Sequence, residues 1–230
     1  MEKGRRLMMG MLCCIMLLVK TGCTQKRPDY KVVKAEVAKR KTQLCNAYND
    51  PKCDKDSVVR CAQQFLFTTM TTKVFPSWYG TKWAYHGTTE EPRKGKVACG
   101  YFVTTTIRDL GFDVPRVRWA QAASEAMIKE MTDRKYIKRY RFSDIGHIES
   151  EIRAWGDGLY VVGMDSHTGF IVNKKGVCRF VHSDYYNPLG GVISEKLSSN
   201  NPLKASKYRV IGKVLTDEMV MKWLKKEKFP

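Results

Sequence analysis

Beyond Gly156 the apolar residues of this chain change period from about 3.6 to two, and that switch limits the folds open to it. Leu159-Tyr160-Val161-Val162-Gly163-Met164, His167 to Asn173 and Val177 to Ser183 read as strands. Strand-like pieces recur at Val192-Ile193 and from Tyr208 to Val214. Ahead of Gly156 the pattern is helical. Tyr30 to Leu44 is a Lys-rich peripheral helix with Val32, Val33, Val37 and Leu44 as its sparse apolar set. Asp56 or Ser57 caps a second helix through Val58, Val59, Ala62, Phe65, Leu66 and Thr69. Val117 to Met131 reads as one helix and Asp133 to Arg141 as a charged stretch. Ser143-Asp144 caps a helix through Ile145, Ile148 and Ile152, and a terminal helix runs from Asp217 to Leu224. Helices first and an antiparallel sheet second is an α+β order.

Inside that sheet, Lys174-Lys175 lies between the turn formers Asn173 and Gly176. A hairpin closed over the two lysines sets Asn173 opposite Gly176, and therefore His167 opposite His182, with Cβ atoms roughly 4.5–5.5 Å apart. Two of the chain's four histidines then share a face with Gly169, Ile171, Cys178 and Phe180. Gly169, facing Phe180, leaves room for another element to come close. The helix behind Cys99 is the expected visitor. His86 and His147 lack such placement; the first is a candidate cleft residue and the second belongs to a helix surface.

The visiting helix begins in Gly95-Lys96-Val97-Ala98-Cys99-Gly100-Tyr101-Phe102-Val103. Phe102, Val103, Thr106, Ile107 and Leu110 follow helical spacing, and Gly111 is a natural stop. A thiol at a helix start meets unpaired N–H groups and the positive end of the macrodipole, both of which lower its pKa. A thiolate made by one imidazole, with a second polar group holding that imidazole in its productive tautomer, is the logic of cysteine acyl transfer. Cys99, His167 and His182 are therefore the candidate catalytic set. Phe75 to Thr89 is a loop dense in aromatics, as binding clefts often are, although Trp78 and Trp83 would equally serve as core caps. Trp83 and Tyr85 from this loop, with Gly100 and Tyr101 from the helix start, are the candidate substrate-binding residues.

Leu7 to Val19, an apolar run behind Lys3, Arg5 and Arg6, reads as a secretion signal too short to span a bilayer comfortably. Leu18-Val19-Lys20-Thr21-Gly22-Cys23 resembles a bacterial lipoprotein signal with Cys23 as the lipidation site. The mature chain is thus expected outside the cytoplasm, lipid-anchored and facing the periplasm or cell surface. Residues 24–56 would form a tether and peripheral helix, and residues 57–230 a single domain. The net charge is +18, and setting aside Glu2, Lys3, Arg5, Arg6 and Lys20 of the leader, net +3, leaves about +15. Such an excess favours anionic lipid or cell-wall polymer. Export, and the lack of an aromatic-interleaved basic stripe, argue against nucleic acid.

Of eight cysteines, Cys45, Cys53, Cys61, Cys99 and Cys178 lie beyond the leader and Cys23. In an oxidising compartment an odd set suggests disulfides plus one free thiol. Cys45 with Cys53, or Cys53 with Cys61, would close a loop, and Cys99 with Cys178 would make a scaffold in place of a nucleophile. No Cys-x-x-Cys pair exists and histidines are few, so no structural zinc site is expected.

Ala98-Cys99-Gly100-Tyr101-Phe102-Val103 at a helix start, His167-Thr168-Gly169-Phe170-Ile171 on a strand and Phe180-Val181-His182-Ser183 on the next together resemble the NlpC-type cysteine peptidases and amidases of bacterial cell walls. Gly158-Leu159-Tyr160-Val161-Val162 is similar to the strand that precedes the base in that family. The resemblance covers roughly residues 83–183. It departs where the usual Asp-Cys-Ser-Gly is replaced by Ala98-Cys99-Gly100-Tyr101, and where a long helical stretch separates cysteine from base. It implies a papain-like core with the nucleophile at a helix N-terminus, Cys99 attacking, His167 as general base and then acid, and His182 orienting it. The backbone N–H of Cys99 would serve the oxyanion hole, with no metal or cofactor. The implied substrate is an amide of a peptidoglycan stem peptide or cross-link, met by a monomer whose other partner is the membrane. The same core would support an acyltransferase or deamidase, or a non-catalytic lipoprotein that binds wall peptides.

Overall fold

A computed structural model describes residues 29–230; the leader and the lipidation site at Cys23 lie outside the described residues. Asp29 caps α1 (Tyr30–Asn49) by accepting the Lys31 N–H. Asp54, upstream of the expected Asp56 or Ser57, caps α2 (Lys55–Thr69) through the Ser57 N–H. The helical path continues through a π turn, Met70–Val74, into α3 (Phe75–Trp78). The wide turn sits just ahead of Pro76, which has no N–H to give and whose ring would crowd an α-helical carbonyl four residues back. The short parallel strands β1 (Lys82–Trp83) and β2 (Lys96–Val97) then lead into α4 (Cys99–Asp109).

The single helix expected from Val117 to Met131 is two, α5 (Arg116–Gln121) and α6 (Ser124–Met131), because Ala122 and Ala123 take extended backbone between them. The break lets Trp119 and the Met127, Ile128 and Met131 face enter the same core from different directions. After a 3-10 turn, Arg134–Tyr136, the stretch expected only as charged holds β3 (Ile137–Arg141). Its two buried residues serve opposite faces, Ile137 in the main core and Tyr140 in the second, so no alternation shows, while Lys138 pairs with Glu151 and Arg139 with Glu125. A charged strand at a sheet edge also resists edge-to-edge association. Next come α7 (Ile145–Trp155), β4 (Gly158–Met164), β5 (Thr168–Lys174), β6 (Val177–Ser183), β7 (Val192–Glu195), α8 (Pro202–Ala205), β8 (Tyr208–Val214) and α9 (Asp217–Lys225).

Six strands form one antiparallel sheet in the order β3-β8-β4-β5-β6-β7. Both faces are covered, so alternate residues of each strand feed different cores. Leu159, Val161, Phe170, Val172, Val181, Val210 and Val214 meet α1, α2, α4, α5, α6 and α9. Tyr160, Val162, Ile171, Cys178, Phe180 and Ile211 meet α7 and the Leu197 and Leu203 segment. The fold is therefore a mixed α+β layering of helices on an antiparallel sheet. Helix α1, expected to be peripheral, buries Val33, Val37, Leu44 and Tyr48 in the main core. A hydrogen-bond chain also holds it: Trp78 Nε1 donates to Tyr30 Oη and Tyr30 Oη donates to Asp109 Oδ2, each at 2.9 Å.

The hairpin register differs from the expected one. Lys174 faces Val177 and Asn173 faces Cys178, so the turn is Lys175-Gly176, with φ of 53° and 74°. Two positive-φ residues make the tight turn whose twist matches a right-twisted hairpin. Relative to a turn over the two lysines, every partner moves by two residues. A two-residue move preserves the face, so His167 and His182 stay on one side but lie diagonally.

The five described cysteines are free thiols, so none of the disulfides left open by the sequence is formed among them. Cys45 is buried on α1, Cys61 is exposed on α2 and Cys178 is buried in the core beneath α7.

Candidate active site

Ala98 is extended, with its N–H on the Gly87 carbonyl at 2.8 Å and its carbonyl accepting from the Phe102 N–H at 2.8 Å. That places Cys99 as the first residue of α4, where backbone N–H groups have no helical partner. The N–H groups of Thr168, Gly100 and Cys99 itself reach the sulfur. Aromatic packing fixes the helix: Phe102 lies 5.9 Å from Phe170 and 6.1 Å from Phe75, centroid to centroid. These contacts put α4 on the Phe170 face of β5. The expected approach of α4 over Gly169 does not occur, since Gly169 points to the other face.

What comes close to Gly169 is its own hairpin partner. A Cβ there would stand 2.8 Å from both His182 Cβ and Phe180 Cε2, and the His182 ring stacks on Phe180 at 4.0 Å and 14°. Gly100 has a separate cause: a Cβ would stand 2.3 Å from the Ala120 carbonyl oxygen of α5. The glycine after the cysteine is thus a packing requirement of the α4–α5 contact, and it also lines the cleft.

His167 Nε2 and His182 Nδ1 are 2.9 Å apart, and His182 Nε2 is 2.9 Å from Glu195 Oε1. His167 is 4% exposed and His182 fully buried. His167 Nδ1 is buried and has no hydrogen-bond partner among the described residues. Burial, with His182 alongside, holds the His167 imidazole well below its ordinary pKa. Burial also pushes the Cys99 thiol up, outweighing the three N–H groups that favour the thiolate. The lowering expected from the helix start is present as a contribution but loses to desolvation. At neutral pH the resting pair is therefore an uncharged thiol and an uncharged imidazole.

Cys99 and His167 line one cleft of about 660 Å³. No Asp, Glu, Lys or Arg lines it, although the chain as a whole is strongly basic. Trp83 is 6.0 Å from Tyr185, whose ring lies 5.1 Å from His167. Tyr85 is 76% exposed on the rim, edge-on to the exposed His86 at 4.9 Å. Tyr101 accepts from Gln121 Nε2 at 3.1 Å, and the Arg116 guanidinium lies 4.8 Å over its ring. Arg116 also donates to Thr105 Oγ1 and to the Thr88 carbonyl, each at 2.7 Å, and so ties the aromatic loop to α4. His147 stays on the exposed side of α7, near Tyr140.

The structure thus gathers Cys99, His167, Trp83, Tyr85, Gly100 and Tyr101 about one cleft, adds His86 and Tyr185 to its lining, and sets His182, Glu195 and Arg116 behind it. Tyr185 lies three residues beyond His182 and carried a proximity signal. Glu195 is reached only by pairing β6 with β7 across the Asn187-to-Gly191 loop, which spacing does not reveal. Among the described residues, no group of three or more His, Cys, Asp or Glu is arranged to hold a metal ion. No helix among them is long and apolar enough to cross a membrane. Comparison with protein-family models, curated proteins and solved structures returns no match.

Proposed function

We propose that this chain is an exported, lipid-anchored cysteine hydrolase with a papain-like NlpC-type core, cleaving amide bonds of peptidoglycan stem peptides or cross-links. The observation that carries the chemistry is the unpaired His167 Nδ1, on a ring whose Nε2 is held by His182, in the cleft that Cys99 lines. The substrate rests on the sequence resemblance and on the basic surface.

In the proposed reaction Cys99 sulfur attacks the amide carbonyl while its proton passes to His167 Nδ1. Because thiol and imidazole are both uncharged at rest, proton transfer accompanies the attack. The resulting oxyanion is met by the backbone N–H of Cys99 at the α4 start. The C–N bond then breaks, His167 returns the proton to the departing amine, and a thioester remains. Water, deprotonated by His167, opens the thioester, and the acid leaves as the thiol reforms. Tyr85 and Trp83 would hold substrate against a wall without charged side chains, so the segments flanking the scissile bond would be uncharged.

The test is incubation of purified protein with peptidoglycan and identification of released fragments by mass spectrometry, beside Cys99→Ala and His167→Ala. Fragments from the wild type alone are expected. Equal release by the variants would remove Cys99 and His167 from the chemistry, and no release by the wild type would remove the substrate.

A further inference from the structure

We infer that Glu195 is a positioning residue that sets the proton order of the two histidines, so that His167 keeps a bare Nδ1 facing the thiol chemistry. The use of that bare nitrogen rests on the hydrolase reading above; the proton order itself does not. Glu195 closes β7 opposite Phe180, and its carboxylate is 2.9 Å from His182 Nε2. As a carboxylate it accepts and has no proton to give. His182 Nε2 therefore carries a hydrogen, and the neutral ring has a bare Nδ1. That nitrogen in turn accepts from His167 Nε2, 2.9 Å away. With its hydrogen on Nε2, His167 has only Nδ1 left as a lone pair, which is the atom without a partner.

The reverse order is disfavoured at each link. It would set the His182 Nε2 lone pair against the carboxylate oxygen, and leave a buried ring without its acceptor satisfied. It would also put the hydrogen on His167 Nδ1, where the ring would offer a donor to the thiol and no base. Neither ring can escape by turning. His182 is clamped flat on Phe180 at 4.0 Å, with Gly169 making the space for both, and His167 is flanked by Tyr185 at 5.1 Å. Glu195 touches neither the cleft nor the reacting atoms, so its effect reaches Cys99 only through the two imidazoles.

Long-range 1H–15N NMR of the uniformly labelled full-length protein at neutral pH reads the order directly. Expected are Nε2–H, bare-Nδ1 signatures for both His167 and His182. A hydrogen on His167 Nδ1, or a doubly protonated His182, in the wild type would overturn the proposal without any variant. In Glu195→Gln the amide can accept or donate at His182 Nε2, so both orders should be populated. Iodoacetamide alkylation of Cys99 in that variant should slow by the share of molecules that take the reversed order, about twofold for an even mixture, with an unchanged far-UV spectrum. Wild-type histidine signatures and an unchanged alkylation rate in both Glu195→Gln and Glu195→Ala would equally sink it. No readout uses peptidoglycan, so the relay and the substrate assignment fail separately.

Discussion

Gly169 and Gly100 each sit where a methyl group has nowhere to go, one under the Phe180–His182 stack and the other against the Ala120 carbonyl. Gly169→Ala should cost about 1–3 kcal/mol in urea unfolding through overpacking, and should slow Cys99 alkylation as His182 is displaced. Gly100→Ala, whose obstacle is the Ala120 backbone at 2.3 Å, should cost at least as much, because relieving that closer contact requires α4 and α5 to move apart. His167 supplies a pH prediction. In the unfolded chain its imidazole takes a proton as pH falls through the ordinary 6.5, while burial keeps the folded imidazole neutral. The unfolded state then binds more protons, so folding stability drops with pH below 6.5, by at most about 1.4 kcal/mol per pH unit. His167→Gln should flatten that slope between one unit above and two units below that value, as read by urea unfolding. An unchanged slope would mean that the folded imidazole titrates normally.

Among the elements, the helices and strands with a clean apolar period were legible from residues alone: α4 from Phe102 to Leu110, β6 from Val177 to Ser183, β8 from Tyr208 to Val214. Three features were not, the first two because a longer-range cause overrides the local pattern and the third through local turn geometry. The α5–α6 break at Ala122 and Ala123 has no helix breaker in it and follows from docking. Lys138, Arg139 and Arg141 make three of the five residues of β3 charged and obscure a strand whose ion-pair partners lie on α6 and α7. The hairpin turn moved to Lys175-Gly176 because two successive positive-φ residues twist it correctly; His167 and His182 lost their direct opposition, yet face parity survived and they meet diagonally. In the site, the thiol and both histidines were visible as types at telling places, whereas Glu195 depended on strand order. Helix α1 gives the prediction at this scale. Tyr30→Phe leaves Trp78 Nε1 and Asp109 Oδ2 without their shared hydroxyl, and should cost about 1–3 kcal/mol. Cys99 alkylation should stay at the wild-type rate, because the lost bonds lie beneath α4 and away from its start.

For the molecule as a whole, a strongly basic chain carries a cleft without charged walls, floored by α4 at one side and the β4–β5 turn at the other. Surface charge would bring the protein to an anionic polymer, and the uncharged cleft would choose the bond. Both matter only if Cys99 is a nucleophile made reactive by His167. The most direct test is the rate of Cys99 alkylation by iodoacetamide as a function of pH, followed by peptide mass mapping to separate it from the exposed Cys61. In the wild type, base assistance should sustain labelling well below the ordinary thiol range. In His167→Ala the rate should fall about tenfold or more at neutral pH and recover only at high pH, where burial has pushed the thiol's own ionisation. Superimposable rate–pH curves for wild type and His167→Ala would contradict the imidazole-activated thiol.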